Sequence, residues 1–206
     1  MYRAVTRRIE VTVEPKFLSE RSSAEKHQFS WSYTIAIAKK MGLQNEEIRV
    51  IARGAFLHDI GKMAIPDRIL IKPGKLTPEE TEIMKEHAYL GYKIVSKIPF
   101  LAEAAEIVYS HQEKYDGTGY PRGLKGDQIP LGSRIFSIAD TLDAMTMTRP
   151  YRAAQSFQAA RDEIKAWSGR QFDPGIVEVY LEMPDSIWEG LRNDISGTNP
   201  PFAARV

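Results

Sequence analysis

The sequence predicts a mainly all-α protein with a short β-like appendage at its amino terminus. Three observations predict this. Beyond Glu46, apolar residues recur at helical spacing, as Ile48, Ile51, Ala52, Ala55 and Phe56 do along one stripe. Helix starts are written into the chain, most fully at Thr77-Pro78-Glu79-Glu80, where threonine caps, proline takes the first turn and Glu80 completes a capping box. Strand-like alternation is confined to the residues before Ala38.

At 206 residues the chain can bury one substantial core and carry an appendage. Its 28 basic and 27 acidic residues nearly cancel, which argues against a duplex-wide nucleic-acid face or a polybasic membrane anchor. Any anionic ligand is therefore small and met locally. The absence of cysteine excludes disulfides, thiolate catalysis and cysteine zinc sites. No apolar run approaches the roughly 20 residues of a membrane span, and the amino terminus lacks a signal-peptide core, so a soluble cytoplasmic protein is expected.

Ala4 to Val13 alternates like a half-buried strand, Pro15 breaks it, and Leu18 to Lys26 reads as polar loop. Phe29, Trp31, Tyr33, Ile35 and Ile37 alternate again, as a second strand or as residues recruited into helix. Ile35 to Met41 are helix formers, and Gly42 marks a stop. The helix from Glu46 carries the first stripe, and His58 and Asp59 fall on its next turn. A loop from Pro66 to Leu76 holds Asp67, Lys72 and Lys75. The helix begun at Thr77 aligns Ile83, His87, Leu90 and Ile94 and ends at Pro99; the following one aligns Leu101, Ala104, Val108 and His111. Asp116 to Pro121, with its paired glycines, is a loop.

Ile135, Ile138, Ala139 and Leu142 mark a buried helix, with Asp140 and Asp143 beside the stripe, broken at Arg149-Pro150-Tyr151-Arg152. Phe157, Ala160, Ile164 and Trp167 form a helix that stops at Gly169, and Asp173-Pro174 starts the last clear helix, through Tyr180 and Leu181. Residues 196–206 have loop composition.

Three of the four histidines interrupt or close apolar helical faces. Buried ionisable groups cost several kcal/mol unless paired or metal-bound, so His58, His87 and His111 require compensation. A core histidine bonded to a carboxylate would answer for His58 and Asp59 alone. Three imidazoles converging with Asp59 and Asp140 would instead make the nitrogen-and-oxygen ligand set of iron, manganese or zinc. Asp59 is the natural bridge between two metals, and a metal pair about 4 Å apart clamps the attacking and leaving oxygens of an in-line displacement at phosphorus.

The segments HDIGKMAIPDRILIKPGKLTPEE, His87, HQEKYDGTGYP and IADTLDAMTMTRPYR resemble the HD-GYP family of metal-dependent phosphohydrolases, which hydrolyse cyclic di-GMP. The resemblance covers residues 38–195 and implies a helical bundle around a metal centre. It implies His58, Asp59, His87, His111 and Asp140 as ligands of two divalent transition metals, iron or manganese. It also implies Asp59 and Lys62 as catalytic residues, and Lys62, Gly119, Tyr120, Pro121, Arg149 and Arg152 as the binding residues for a cyclic dinucleotide. Neither duplex nucleic acid nor a membrane is an expected partner.

Read singly, Lys62 could be a solvated cation, Tyr120 a core aromatic and the two arginines partners of Asp116 or Asp127. Asp143 reads as polar helix surface or as support behind the ligands, and Met63, Met145 and Met147 as packing.

Residues 1–37, on YRAVTRRIEVTVEP and FSWSYTIAI, resemble the opening two strands of the ApaG family of β-sandwich proteins, and residues 196–206 form a tail. The chain departs from the HD-GYP pattern in three places. Gln112 stands where a second imidazole is expected, Ser22 or Ser23 stands where a glutamate is expected, and His27 comes one residue late, Lys26 taking the place of the family's first histidine. The first two losses remove ligands of a third metal. The third would rotate His27 by about 100° off the ligand face, so a surface or strand-end role is expected for it. These departures raise the alternative of a degenerate module that binds a nucleotide or a partner protein without turnover.

Overall fold

The computed structural model describes residues 29–148 and 152–197. Among them no strand forms, and the chain folds as a helical bundle. The elements are α1 (Ser30–Lys40), α2 (Asn45–Leu57), a 3₁₀ turn (Ile60–Ala64), the short α3 (Asp67–Leu70), α4 (Pro78–Lys85) and α5 (His87–Val95). They continue as α6 (Ala102–Ser110), α7 (Leu131–Thr146), α8 (Phe157–Ala166), α9 (Pro174–Glu182) and α10 (Asp185–Gly197). No described helix is long and apolar enough to cross a membrane.

The core lies between α1, α2 and α7, closed below by α8, α9 and α10. Tyr33, Ile37, Ile135, Ile138, Ala139, Leu142, Ile164 and Trp188 are fully enclosed in it. This corrects the second strand read over Phe29 to Ile37. Its alternating aromatics also satisfy a helical stripe, with Phe29, Tyr33 and Ile37 at i, i+4 and i+8 facing α7. Tertiary packing on α7 selects the helix over strand propensity. The helix also runs across the boundary expected between residues 37 and 38. The first ApaG-like strand, Ser22, Ser23, Lys26 and His27 lie outside the described residues.

Local chemistry explains most element ends. The capping boxes at Gln44/Glu47 and Thr77/Glu80 form, Ser156 accepts from the Ala159 amide, and Asp173 accepts from the Gly175 amide with Pro174 behind it. Several details differ from the sequence reading. The helix expected from Thr77 to Pro99 is two helices parted at Glu86, and α5 buries His87, Ala88, Gly91 and Val95 rather than Leu90 and Ile94. The reason is steric: Gly91 brings α5 against the backbone of the 3₁₀ turn, which only the small-residue face allows. Phe56, at the rim of its stripe, is 68 % exposed, and Met63 is equally exposed rather than packed. Met145 and Met147 do pack against the core. The Pro66 to Leu76 loop contains the single turn α3, and Lys72 pairs there with Glu80 at 2.5 Å.

A further helix, α10, follows the expected last one and extends to Gly197, so the first residues of the supposed tail are helical. Its signal was present in Pro184-Asp185 followed by Ile187, Trp188 and Leu191. Arg192 on α10 ties it to the bundle by donating to the Tyr33 hydroxyl at 2.6 Å and the Thr146 carbonyl at 3.2 Å. Asp143 is fully buried rather than polar surface, and it accepts the Phe29 amide at 3.4 Å.

Candidate metal centre

Three helix ends deliver the three imidazoles. His58 is the C-cap of α2, His87 opens α5, and His111 is the C-cap of α6. α2 stops at Leu57, so Asp59 does not continue the helix but begins the 3₁₀ turn. That turn can lie against α5 because residue 61 is glycine. A Cβ there would stand 1.9 Å from the His87 carbonyl oxygen and 2.4 Å from the Gly91 nitrogen. The close approach is what brings Asp59 to His87.

All three rings are buried and held in the same way. Each Nδ1 lies 2.7 Å from the carbonyl three residues back, of Ala55, Met84 and Val108 respectively. A carbonyl only accepts, so each Nδ1 carries a proton and each Nε2 is turned inward. Asp59 meets these nitrogens with its two oxygens divided. Oδ1 lies 3.6 Å from His87 Nε2 and 3.9 Å from His111 Nε2, whereas Oδ2 lies 3.3 Å from His58 Nε2 and 2.6 Å from Lys62 Nζ.

His87 Nε2 and His111 Nε2 are 3.1 Å apart. Two lone pairs at that distance repel unless a cation or proton lies beside them. Metal–ligand bonds of roughly 2.1 Å place neighbouring ligands about 3 to 4 Å apart, and the ligand atoms of Asp59, His87 and His111 all fall within 4.8 Å of one another. The donor set therefore fits a divalent metal. Asp140, half-buried on α7, acts on the same cluster, since its charge helps to favour the His58 imidazolium.

Burial and mutual charge set the protonation of these side chains. Burial opposes a charged His58, but the bonded Asp59 carboxylate overcomes this and raises its pKa. Burial alone would raise Asp59; the bonded His58 and the Lys62 ammonium reverse it and hold the carboxyl far below the usual carboxylate range. Burial lowers His87, and burial together with the neighbouring His58 and His87 pushes His111 down to about 3.

The Gly119-Tyr120-Pro121 loop lies at the edge of this centre. Gly119 is required there, because a Cβ would meet the Glu113 and Lys114 backbone at 2.3 to 2.6 Å. The Tyr120 ring stands edge-on to His87 with centroids 6.4 Å apart, and it is half-buried at the site rather than in the core. Burial and the Asp59 charge push its phenol up to about 12, so it remains a hydrogen-bond donor. Lys62 is not merely solvated, being bonded to Asp59. Arg152 is exposed and its guanidinium donates to the Ala144 carbonyl, while Arg149 lies outside the described residues. Asp127 pairs with Arg134 at 2.6 Å, and Asp116 accepts from Thr118 at 2.7 and 2.9 Å, so neither is the partner of Arg152.

Sequence reading passed over two contributors. Gly61 was legible as a glycine just past the apolar stripe, between Ile60 and Lys62, whereas Lys85, whose Nζ lies 5.6 Å from the Tyr120 ring centre, had no signal beyond its place on α4.

Within this helical bundle, Asp59, His87 and His111 form a donor cluster that a divalent metal fits. A family model for the HD domain matches residues 10–176. A cyclic di-GMP phosphodiesterase of Thermotoga maritima is 45 % identical over 160 residues, covering 77 % of this chain and 44 % of its own length. The cyclic di-GMP phosphodiesterase response regulator RpfG of Xanthomonas campestris is 46 % identical over 147 residues, covering 70 % and 39 %. A crystal structure of a cyclic GMP-AMP-specific phosphodiesterase of Vibrio cholerae shares the fold, with a TM-score of 0.66 at 22 % identity over 89 % of this chain and 51 % of that one. The chain belongs to the HD domain family, in its HD-GYP branch. It spans less than half the length of the two curated relatives.

Proposed function

We propose that the chain is a metal-dependent phosphodiesterase that hydrolyses cyclic di-GMP to pGpG or GMP in second-messenger signalling. The observation that carries the proposal is the division of Asp59, with His87 and His111 on one oxygen and His58 and Lys62 on the other. Such a carboxylate suits two cations. The curated relatives named as cyclic di-GMP phosphodiesterases support the substrate.

Two divalent transition metals, iron or manganese, form part of the proposal. His87 and His111 with Asp59 would hold one, and His58 and Asp140 with Asp59 the other. Bound there, they would supply Lewis acidity to a phosphoryl oxygen and a nucleophile drawn from water at neutral pH.

The chain's own residues prepare the site. The three Nδ1–H bonds hold the rings with their Nε2 atoms inward, so no imidazole has to turn when the ligand set is used. The Lys62 side chain, 34 % exposed, places an ammonium beside Asp59 where a non-bridging phosphate oxygen can meet it. Tyr120 offers a phenol donor and a ring edge beside His87, held by Gly119 and Pro121 on either side. Arg149 and Arg152 are proposed phosphate ligands, since a guanidinium has five donors and matches an oxygen pair. The cytoplasmic location expected from the sequence belongs to the same proposal.

The test is reconstitution with manganese or ferrous iron, followed by product analysis on cyclic di-GMP, 3′3′-cyclic GMP-AMP and a mononucleotide. Linear pGpG or GMP from cyclic di-GMP is expected. No turnover with either metal, at substrate well above micromolar, would refute the reading. Binding of intact nucleotide without turnover would point to the degenerate module instead.

A further inference from the structure

We propose that Glu113 and Arg122 are positioning residues that fix Tyr120 against the metal centre, an inference that rests on the phosphodiesterase reading. Glu113 is buried two residues beyond His111, and its carboxylate faces the loop backbone. Oε1 accepts the Arg122 amide at 2.8 Å and Oε2 the Leu124 amide at 3.1 Å. Burying a carboxylate is unfavourable unless hydrogen bonds offset the lost water, and these two charge-assisted bonds do so. Arg122 adds a second anchor. Its Nη2 donates to buried Ser110 Oγ at 2.6 Å and Glu106 Oε2 at 3.1 Å, and its guanidinium lies 4.3 Å from the Tyr109 ring centre. All of these partners belong to α6 or to the residues just after it.

Tyr120 sits between this clamp and the metal centre. On one side, its amide donates to the Gln112 carbonyl at 3.2 Å, and Gly119 rests on the Glu113 backbone. On the other, Pro121 leads directly into Arg122. Residues 117–123 include three glycines, so without the clamp the segment has a wide choice of backbone conformations. A displacement of about 1 Å at a substrate-positioning group is enough to weaken a reaction greatly. The same α6 end that presents His111 thus also sets the place of Tyr120. Glu113, in the segment His111-Gln112-Glu113, grips the loop with both carboxylate oxygens.

The test uses Arg122→Met, Glu113→Gln, Tyr120→Ala and the double variant Arg122→Met/Tyr120→Ala in the metal-loaded chain. With Arg122→Met, KM for cyclic di-GMP should rise about tenfold while kcat stays within about twofold and metal content is unchanged. On the Tyr120→Ala background the same substitution should shift KM by less than about twofold, because the group it positions is gone. Glu113→Gln replaces one accepting oxygen with an amide donor, and hydrogen–deuterium exchange should then speed at the amides of Arg122 and Leu124 while α6 stays protected. Multiplying KM effects in the double variant, or a fall in kcat and metal content at constant KM, would overturn the inference. So would unchanged exchange in Glu113→Gln. A wild-type chain without turnover would instead fault the functional reading, and faster exchange in Glu113→Gln would still register the clamp.

Discussion

Replacing Gly61 with alanine should disable the metal centre without touching any ligand. The added Cβ would stand 1.9 Å from the His87 carbonyl oxygen and 2.4 Å from the Gly91 nitrogen, both of them backbone atoms of α5. Non-bonded heavy atoms settle at roughly 3.5 Å, so the 3₁₀ turn and α5 must part by about 1.5 Å. Asp59 lies on the turn and His87 on α5, so the separation falls directly on the 3.6 Å gap between their ligand atoms. Metal–ligand distances tolerate only about 0.2 Å. Overpacking of this kind costs about 1 to 3 kcal/mol, which the bundle can bear, whereas metal affinity should fall by about a hundredfold or more. Urea unfolding gives the first quantity, and calorimetric titration of the metal-free protein with manganese gives the second. Affinity within about threefold of wild type would refute the steric argument.

Further expectations follow from the protonation and packing of the same bundle. Metal uptake at pH 6.5 should release protons chiefly from His58, whose pKa the Asp59 carboxylate raises, because burial lowers those of His87 and His111. Titrations in buffers of different ionisation enthalpy measure this, and a release of two protons would contradict it. The His111 pKa is depressed, so its neutral form contributes stability above the unfolded value of about 6.5 that is lost as pH falls toward 3. In the metal-free protein, His111→Phe should flatten that acid limb by at most about 5 kcal/mol, and an unchanged urea midpoint profile between those limits would sink the assignment. Arg192→Met should cost about 1 to 3 kcal/mol by leaving the Tyr33 hydroxyl and the Thr146 carbonyl without their charged donor, and it should loosen α10 in hydrogen exchange; equal stability would show that α10 is held by its apolar contacts and the Arg161–Asp185 pair instead.

The sequence by itself determined the helices with explicit caps and pointed to the residues of the candidate donor cluster. Thr77, Ser156 and Asp173 accept backbone amides within their own turns, and that chemistry is complete within a few residues. His58, Asp59, His87 and His111 were legible because polar groups at the ends of apolar stripes need partners. Tertiary structure alone decided the state of Phe29 to Ile37, whose apolar residues satisfy period two and period four alike until α7 supplies the surface to be covered. It also decided which face of α5 is buried, since the choice between Leu90 and Gly91 depends on how near the 3₁₀ turn can come. The division of Asp59 between its two sets of neighbours is likewise tertiary, because a carboxylate's orientation depends on groups 28 and 52 positions further along the chain. Local hydrogen bonds are written in adjacent residues, whereas close packing depends on the summed shapes of elements that meet only after folding.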